Sequence, residues 1–446
     1  MKNATKIAEF IEGAEASNFP LEVIDAAKRA LIDWFCVAIG GSTEPVTQST
    51  AKATKTWAGP GRAFLLSGAH TTSAAAAALI NGTAAHALDF DDTHVGAVTH
   101  IGGPTIAATM ALASHRGLKE PEIFSAIIAG YEVAARIGNR LGQPTNMRGF
   151  HATGIFGSFG ATAAASVLTK LNQTEILNAI GLTATQVSGL TASFGSMAKP
   201  FHAGKAAFNG VLSAEMALAG FDARKDLIEP EGGLSQALFP DGSTSIAEIS
   251  FESGWEITQN TFKPYAACLL THAVIDGARQ LAPKLVNNDF KRVKLYVGEP
   301  AIRLAGIDEP VTPLQGKFSL AFCAALGLKG YAASETDFVQ TRMADPELRK
   351  ILHKVKLVSD ASLVDTSSRI EVEFEEGTSL VAEVPVALGN PKNPMSIEDM
   401  WNKFEPLVRP KLGQNTKELF ECLSNFEEPG SMSRTVKLIN PDYIKT

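Results

Sequence analysis

Apolar residues recur at helical spacing through most of the first half of this chain. Val23, Ala27, Ala30, Leu31, Trp34, Val37 and Ala38 make one such stripe, which predicts a helix running to Gly40-Gly41. Ser17-Asn18-Phe19-Pro20 supplies its cap and first-turn proline. The same spacing predicts helices over residues 3–14, 45–58, 73–88, 105–115, 121–141, 154–171, 174–182 and 205–220. Thr174 is expected to cap the helix 174–182, with Glu175 in its first turn. Residues 143–151 read as irregular, and 62–67 as a short strand or an extended link. Ala and Gly are dense in 73–88 and 154–171, so these helices can approach closely and should be mutually buried.

The texture changes near Asp226. Residues 292–298 and 369–374 alternate as strands do, and Glu376-Gly377 turns the second of them into 379–384, which predicts a hairpin. Helices are expected among them at 269–281, 318–326 and 346–355, and helical spacing returns after Pro394 at 397–407 and 416–424. The fold class expected is mainly α. A large all-helical domain spans 1–262, completed by 398–446, and a smaller α+β domain spans 263–397.

Composition narrows the function. The 446 residues are 45% hydrophobic and 20% charged, which is globular, and the net charge of −7 gives no general attraction to nucleic acid or an anionic membrane. An anionic ligand would have to be held by a local cluster of cations. Cys36, Cys268, Cys323 and Cys422 are far apart, so neither a zinc knuckle nor an iron–sulfur cluster is suggested. The first residues are amphipathic and charged, unlike a signal peptide, and no charge-free run reads as apolar enough to span a bilayer. A soluble, cytoplasmic protein is expected.

Titratable side chains crowd into residues 81–104. His86, Asp89, Asp91, Asp92, Thr93, His94 and His100 stand there between two Ala-rich helices, where charge is costly unless solvated or used. The plainer reading is a polar loop whose aspartates cap helix ends. His86 and Asp89, three apart on one helix face, permit a metal site, though no carboxylate motif on a partner helix completes a cage. Three further patches carry candidates. His151 precedes a helix whose first N–H groups form an anion site, against a capping or core role. Lys199, His202 and Lys205 lie between two helices, with Pro200 forcing an extended backbone at Lys199. Solvated surface lysines are the competing reading there, more so for Lys205. Lys263 and Tyr265 fall at the junction of the two domains, where a linker lysine is the plainer reading and a ligand cleft the alternative. The glycines at 154, 157 and 160 lack the preceding strand and spacing of a dinucleotide fingerprint.

Together these patches resemble one family, the MmgE/PrpD proteins, which include 2-methylcitrate dehydratases, cis-aconitate decarboxylases and iminodisuccinate epimerase. The similar motifs are NGTAAHALDFDDT (81–93), GFHATGIFGSFG (149–160), KPFHAGKAAFNG (199–210) and Lys263-Pro264-Tyr265, in the family's order. The late α+β segment and its helical tail look like the family's lid domain and closing helices. The resemblance implies that Asp89, Thr93, His100, His151, Lys199 and Lys263 are catalytic. A one-residue length difference separates Thr93 and His100 from the family pattern. His202, Lys205 and Tyr265, from the same motifs, are candidate substrate contacts. It also implies a homodimer and no cofactor. The reaction expected is that of a lyase, of the 2-methylcitrate dehydratase type, on a small di- or tricarboxylate. Decarboxylation of cis-aconitate and epimerisation of an amino- or imino-dicarboxylate are the alternatives, since each needs a stabilised carbanion beside a carboxylate. A metal-dependent hydrolase centred on the aspartate-rich stretch and a non-catalytic helical scaffold are readings from other classes.

Overall fold

The computed structural model describes residues 2–440 apart from 16–17, 69, 230, 244–246, 253, 286–288 and 365. The chain divides into two compact units, Met1–Thr261 with Phe404–Thr446, and Phe262–Lys403. It is mainly α, with one small α+β unit.

In the first unit the helices are α1 (Lys2–Glu12), α2 (Leu21–Gly41), α3 (Pro45–Thr54), α4 (Ala74–His86), α5 (Gly102–Arg116), α6 (Glu120–Met147), α7 (Ala152–Thr169), α8 (Gln173–Ala184), α9 (Ala198–Leu218) and the short α10 (Leu234–Leu238). A ribbon of β1 (Ala63–Phe64) and β2 (Thr71–Thr72) precedes α4. Helix α7 packs on α5, α6 and α9, and α9 packs on α4. These contacts are close because the facing residues are small. A Cβ on Gly204 of α9 would lie 2.3 Å from the Leu79 carbonyl oxygen of α4, so the two helices touch backbone to backbone there. All of α7 except Val167 is buried. It is long and apolar enough to cross a membrane by length and composition, contrary to the expectation from sequence, yet it lies inside the bundle.

The second unit holds a four-stranded sheet of order β4-β3-β5-β6, from β3 (Arg292–Val297), β4 (Val355–Ser359), β5 (Ser368–Glu373) and β6 (Ser379–Val384). β3 runs parallel to β4 and antiparallel to β5, and β5 forms the expected hairpin with β6. Val293, Leu295 and Val297 of β3 and Ile370 and Val372 of β5 share the buried face, and α11 (His272–Leu281) covers it. Around it lie α12 (Glu299–Ala305), α13 (Pro313–Lys317), α14 (Leu320–Leu328), α15 (Gln340–Met343) and α16 (Pro346–Leu352). The chain ends with α17 (Ile397–Leu412), α18 (Asn415–Ser424) and α19 (Ser431–Ile439).

Several local expectations are corrected. Helix α6 runs through Gly142 and Pro144 to Met147, so most of 143–151 is helical. Pro144 lies inside the helix, near its C-terminal end, and leaves the carbonyl of residue 140 without its usual N–H partner. Asn172, not Thr174, caps α8, and Glu175 closes a capping box with it. Helix α9 starts at Ala198, so Lys199 and His202 are helical. Pro200 sits in its first turn, where its missing N–H has no partner to lose. Helix α16 ends at Leu352, and Val355, the last residue of the helix expected there, opens strand β4. Pro20 stands just outside α2 as its N-cap, and Ser17 lies outside the described residues.

Candidate active site

Helix α4 ends at His86, and the chain then leaves helical geometry. Asp89 adopts a left-handed backbone with φ of 53°, so it does not share a helix face with His86. Val98, a β-branched residue, has φ of 52°. Left-handed geometry is costly for non-glycine residues and persists where the surroundings impose it. The surroundings do so here. The Asp92 carboxylate accepts from the Gly102 N–H at 3.1 Å, the Tyr131 hydroxyl at 2.5 Å and the Asn260 amide at 2.6 Å. Its own N–H donates to Asp33 at 3.1 Å. Thr93 pairs with Thr261 through two backbone bonds of 2.8 and 2.9 Å. His94 accepts from the Ala97 N–H at 3.1 Å and faces Glu256 at 3.2 Å. Asp92 and His94 therefore carry out the plainer, structural reading of this stretch.

The remaining groups meet one another. Nδ1 of His86 lies 2.9 Å from both carboxylate oxygens of Asp91. Nδ1 of His100 lies 3.4 Å from Asp91 Oδ1 and 3.4 Å from the Thr93 hydroxyl, and its Nε2 lies 3.8 Å from Asp89 Oδ1. The Lys199 ammonium lies 2.6 Å from Asp89 Oδ2. The backbone N–H of His100 donates to the Thr153 hydroxyl at 3.1 Å, which ties the loop to the first turn of α7. His151 is the residue before α7, and Nδ1 of its ring is 3.0 Å from Nδ1 of His202. The His86 ring centroid lies 4.6 Å from that of His100 and 5.7 Å from that of His151. Phe194 stands edge-on to His151, with the Lys199 ammonium 5.1 Å from its ring centre. Gly189, at φ of 128°, backs this arrangement, since a Cβ there would lie 3.1 Å from Nδ1 of His202.

Burial sets the charge states. It pushes the imidazole of His151 far below its ordinary value, helped by His86 and Lys199. It also lowers His86, despite Asp91, and His202. Burial works to raise the Asp91 carboxyl, but the imidazoles of His86 and His100 outweigh it and hold Asp91 well below the usual carboxylate range. Near neutral pH the imidazoles of His86, His151 and His202 are neutral and the Asp91 carboxylate is charged. Neutral imidazoles can accept a proton, and the nearby Lys199 supplies fixed positive charge. His86, Asp89, Asp91 and His100 offer ligand atoms within 4.8 Å of one another, a spacing that a divalent cation can bridge.

The structure thus gathers Asp89, Thr93, His100, His151, Lys199 and His202. Lys205 turns elsewhere: its ammonium donates to Asn209 and lies 5.0 Å from the Phe208 ring centre. It lines an apolar groove with Trp57, Leu79 and Phe201. Lys263 and Tyr265 belong to the second unit. There Lys263 is buried and, after burial itself, helps to hold His272 down at about 3. The Tyr265 hydroxyl donates to Asp276 at 2.5 Å. Sequence reasoning did not assign Asp91 and Phe194 to the site, and took His86 only as a metal ligand. The crowding of residues 81–104 signals His86 and Asp91, whereas nothing in the sequence marks Phe194.

The MmgE/PrpD N-terminal domain model matches residues 5–247, and the MmgE/PrpD C-terminal domain model matches 265–425. The chain belongs to the MmgE/PrpD family. Its similar relatives include a cis-aconitate decarboxylase of Aspergillus terreus, 24% identical over 98% of this chain and 95% of that protein. A cis-aconitate decarboxylase of Homo sapiens is 25% identical over 96% of this chain and 92% of its own length. A cis-aconitate decarboxylase-like protein of Aspergillus oryzae is 24% identical over 90% of each chain. Within this MmgE/PrpD member, the matched N-terminal domain holds every residue of the cluster above.

Proposed function

We propose that this chain is a lyase that builds negative charge on a carbon next to a carboxylate, in a small di- or tricarboxylate. One observation carries the reading: neutral buried imidazoles, a charged carboxylate and the Lys199 ammonium meet beside the start of α7. A substrate carboxylate fits the Lys199 ammonium and the first N–H groups of α7, both of which favour negative charge. Among reactions, dehydration of the 2-methylcitrate type comes first. One of His100 and His151 takes the C–H proton. The released electron pair forms the carbon–carbon double bond, and the hydroxyl leaves as water with the proton of the imidazolium so formed, passed on through the other imidazole. Asp89 orients Lys199, and the Thr93 hydroxyl stands beside Nδ1 of His100. Lys263 enters on its motif alone.

The names of the relatives favour a second reaction, decarboxylation of cis-aconitate. There the bond to the departing carboxylate breaks, carbon dioxide leaves, and the carbanion takes a proton that an imidazole draws from water and delivers to the carbon. The test is direct. Chelator-treated protein is incubated with 2-methylcitrate, citrate and cis-aconitate and followed for a conjugated double bond and for carbon dioxide. Turnover of one is expected, and turnover of none removes the lyase reading. Stoichiometric metal with chelator-sensitive activity would instead support the hydrolase reading on His86, Asp89, Asp91 and His100. We also propose a homodimer. Trp57, Met197 and Phe201 are exposed along the apolar groove beside α3 and α9, and light scattering tests whether that face is covered by a second copy.

A further inference from the structure

Two aspartates in this stretch are buried, and they do different work. Asp92 spends its carboxylate on a backbone N–H, a hydroxyl and an amide that hold the loop and the start of α5. Asp91 is equally buried, yet among the described residues its carboxylate contacts only the nitrogen atoms of His86 and His100. It caps no helix and closes no turn. A buried carboxylate devoted to imidazoles fixes their tautomer, because a charged oxygen accepts and so requires N–H on the facing nitrogen.

His86 adds a second, independent observation. It is buried and its Nδ1 is spent on Asp91, but its Nε2 has no hydrogen-bond partner among the described residues. Buried polar atoms are usually paired, so this spare nitrogen beside two other imidazoles stands ready for a group bound in the cluster. Its neighbours are the rings of His100 and His151, the two imidazoles that the proposed reaction uses.

We propose that Asp91 is the positioning residue for His100, with His86 as the clamp that fixes Asp91. The carboxylate holds both imidazoles with the proton on Nδ1. The Nε2 lone pair of His100 is thereby aimed to the side of Asp89 and Lys199, where it can take a proton from a bound substrate. His86 stays neutral, locks the two carboxylate oxygens and presents its own Nε2 to the imidazole cluster. Asp89, left-handed in backbone and partly exposed, faces the working nitrogen of His100, whereas Asp91 stands behind the ring. The logic is that of a base oriented by a third group. This inference deepens the proposed lyase reading and rests on it for the proton-transfer step, but the tautomers can be read without any substrate.

The experiment is nitrogen-15 NMR of the full-length protein labelled at histidine, with His86→Gln and His100→Gln variants to assign the signals. In the wild type both His86 and His100 should show a protonated Nδ1 and an unprotonated Nε2. Asp91→Asn, which replaces an acceptor oxygen with a donor amide, should switch at least one ring to the other tautomer. A wild-type His100 protonated on Nε2, or unchanged tautomers in Asp91→Asn, overturns the proposal even if that variant is hard to produce, since the first result needs only the native protein. Kinetics then separate positioning from simple structure. With whichever carboxylate the wild type turns over, Asp91→Asn should lower kcat about 100-fold while KM changes less than about threefold, because Lys199 is untouched. Equal losses in kcat and in binding would contradict positioning. Absence of turnover by the wild type would refute the lyase reading and leave the tautomer result standing.

Discussion

Asp92 offers the sharpest quantitative handle on how the site loop is held. Burial, then the neighbouring charge of Asp33, pushes its carboxyl up to about 7 from an ordinary 3.8, with Asp91 adding to the effect and Tyr131 and Asn260 opposing it. The folded value lies above the unfolded one, so folding favours the protonated acid. The stabilisation is complete below about pH 4 and is lost as pH rises through about 7. At ~1.36 kcal/mol per pH unit, that interval corresponds to about 4 kcal/mol of stability. Asp92→Asn removes the titration while keeping the shape. Its absolute stability depends on how the amide meets the Gly102 N–H and the Tyr131 hydroxyl, a mismatch worth about 1–3 kcal/mol. The pH dependence is independent of that mismatch. Urea unfolding followed by far-ultraviolet circular dichroism, at a series of values from about pH 5 to about pH 8.5, gives the difference between variant and wild type. The variant should gain on the wild type as pH rises, by about 1.4 kcal/mol per unit near pH 6 and then level off above about pH 8. A difference that stays constant within about 1 kcal/mol across the range would refute the reasoning and mean that Asp92 is ionised throughout.

Other predictions follow from the packing and the charges. Lys199→Met should lower kcat/KM by at least about 100-fold in steady-state assays with the preferred carboxylate, since it removes the ammonium beside Asp89. His151→Ala should lower kcat by more than about 100-fold, in line with the usual contribution of a general acid or base, whereas a scaffold would show no change. Gly204→Val should destabilise the helical unit by at least about 1–3 kcal/mol in thermal unfolding, because its Cβ would meet the Leu79 carbonyl and force α9 from α4.

The sequence carried the helical architecture well because its signals are local. The stripe in α2, the hairpin at Glu376-Gly377 and the small residues of α4 and α7 each determine structure over a few turns. Element ends were less legible. Pro200 reads as a break but sits in a first turn, where a missing N–H has no partner to lose, and Pro144 is carried within the end of α6. Strand β4 was hidden because its parallel pairing with β3 links residues about sixty apart, and no turn announces it. The candidate site was legible as a set of residue types, not as a division of labour. Asp89, Asp91 and Asp92 stand within four positions, yet one faces a lysine, one two histidines and one a backbone amide. That difference arises from the left-handed turn at Asp89, a conformation Asp tolerates but which the three neighbouring aspartates could each have taken. Lys205 shows the converse: its place in the 199–210 motif suggested a substrate contact, while its helical phase carries it to Asn209 and Phe208.

A crystal structure with a slowly reacting tricarboxylate such as tricarballylate bound tests the central claim most directly. The account predicts one ligand carboxylate on the Lys199 ammonium and the first N–H groups of α7, with the adjacent carbon facing Nε2 of His100. A ligand bound away from Lys199, or one whose carbon faces none of the imidazoles of His86, His100 and His151, would contradict it.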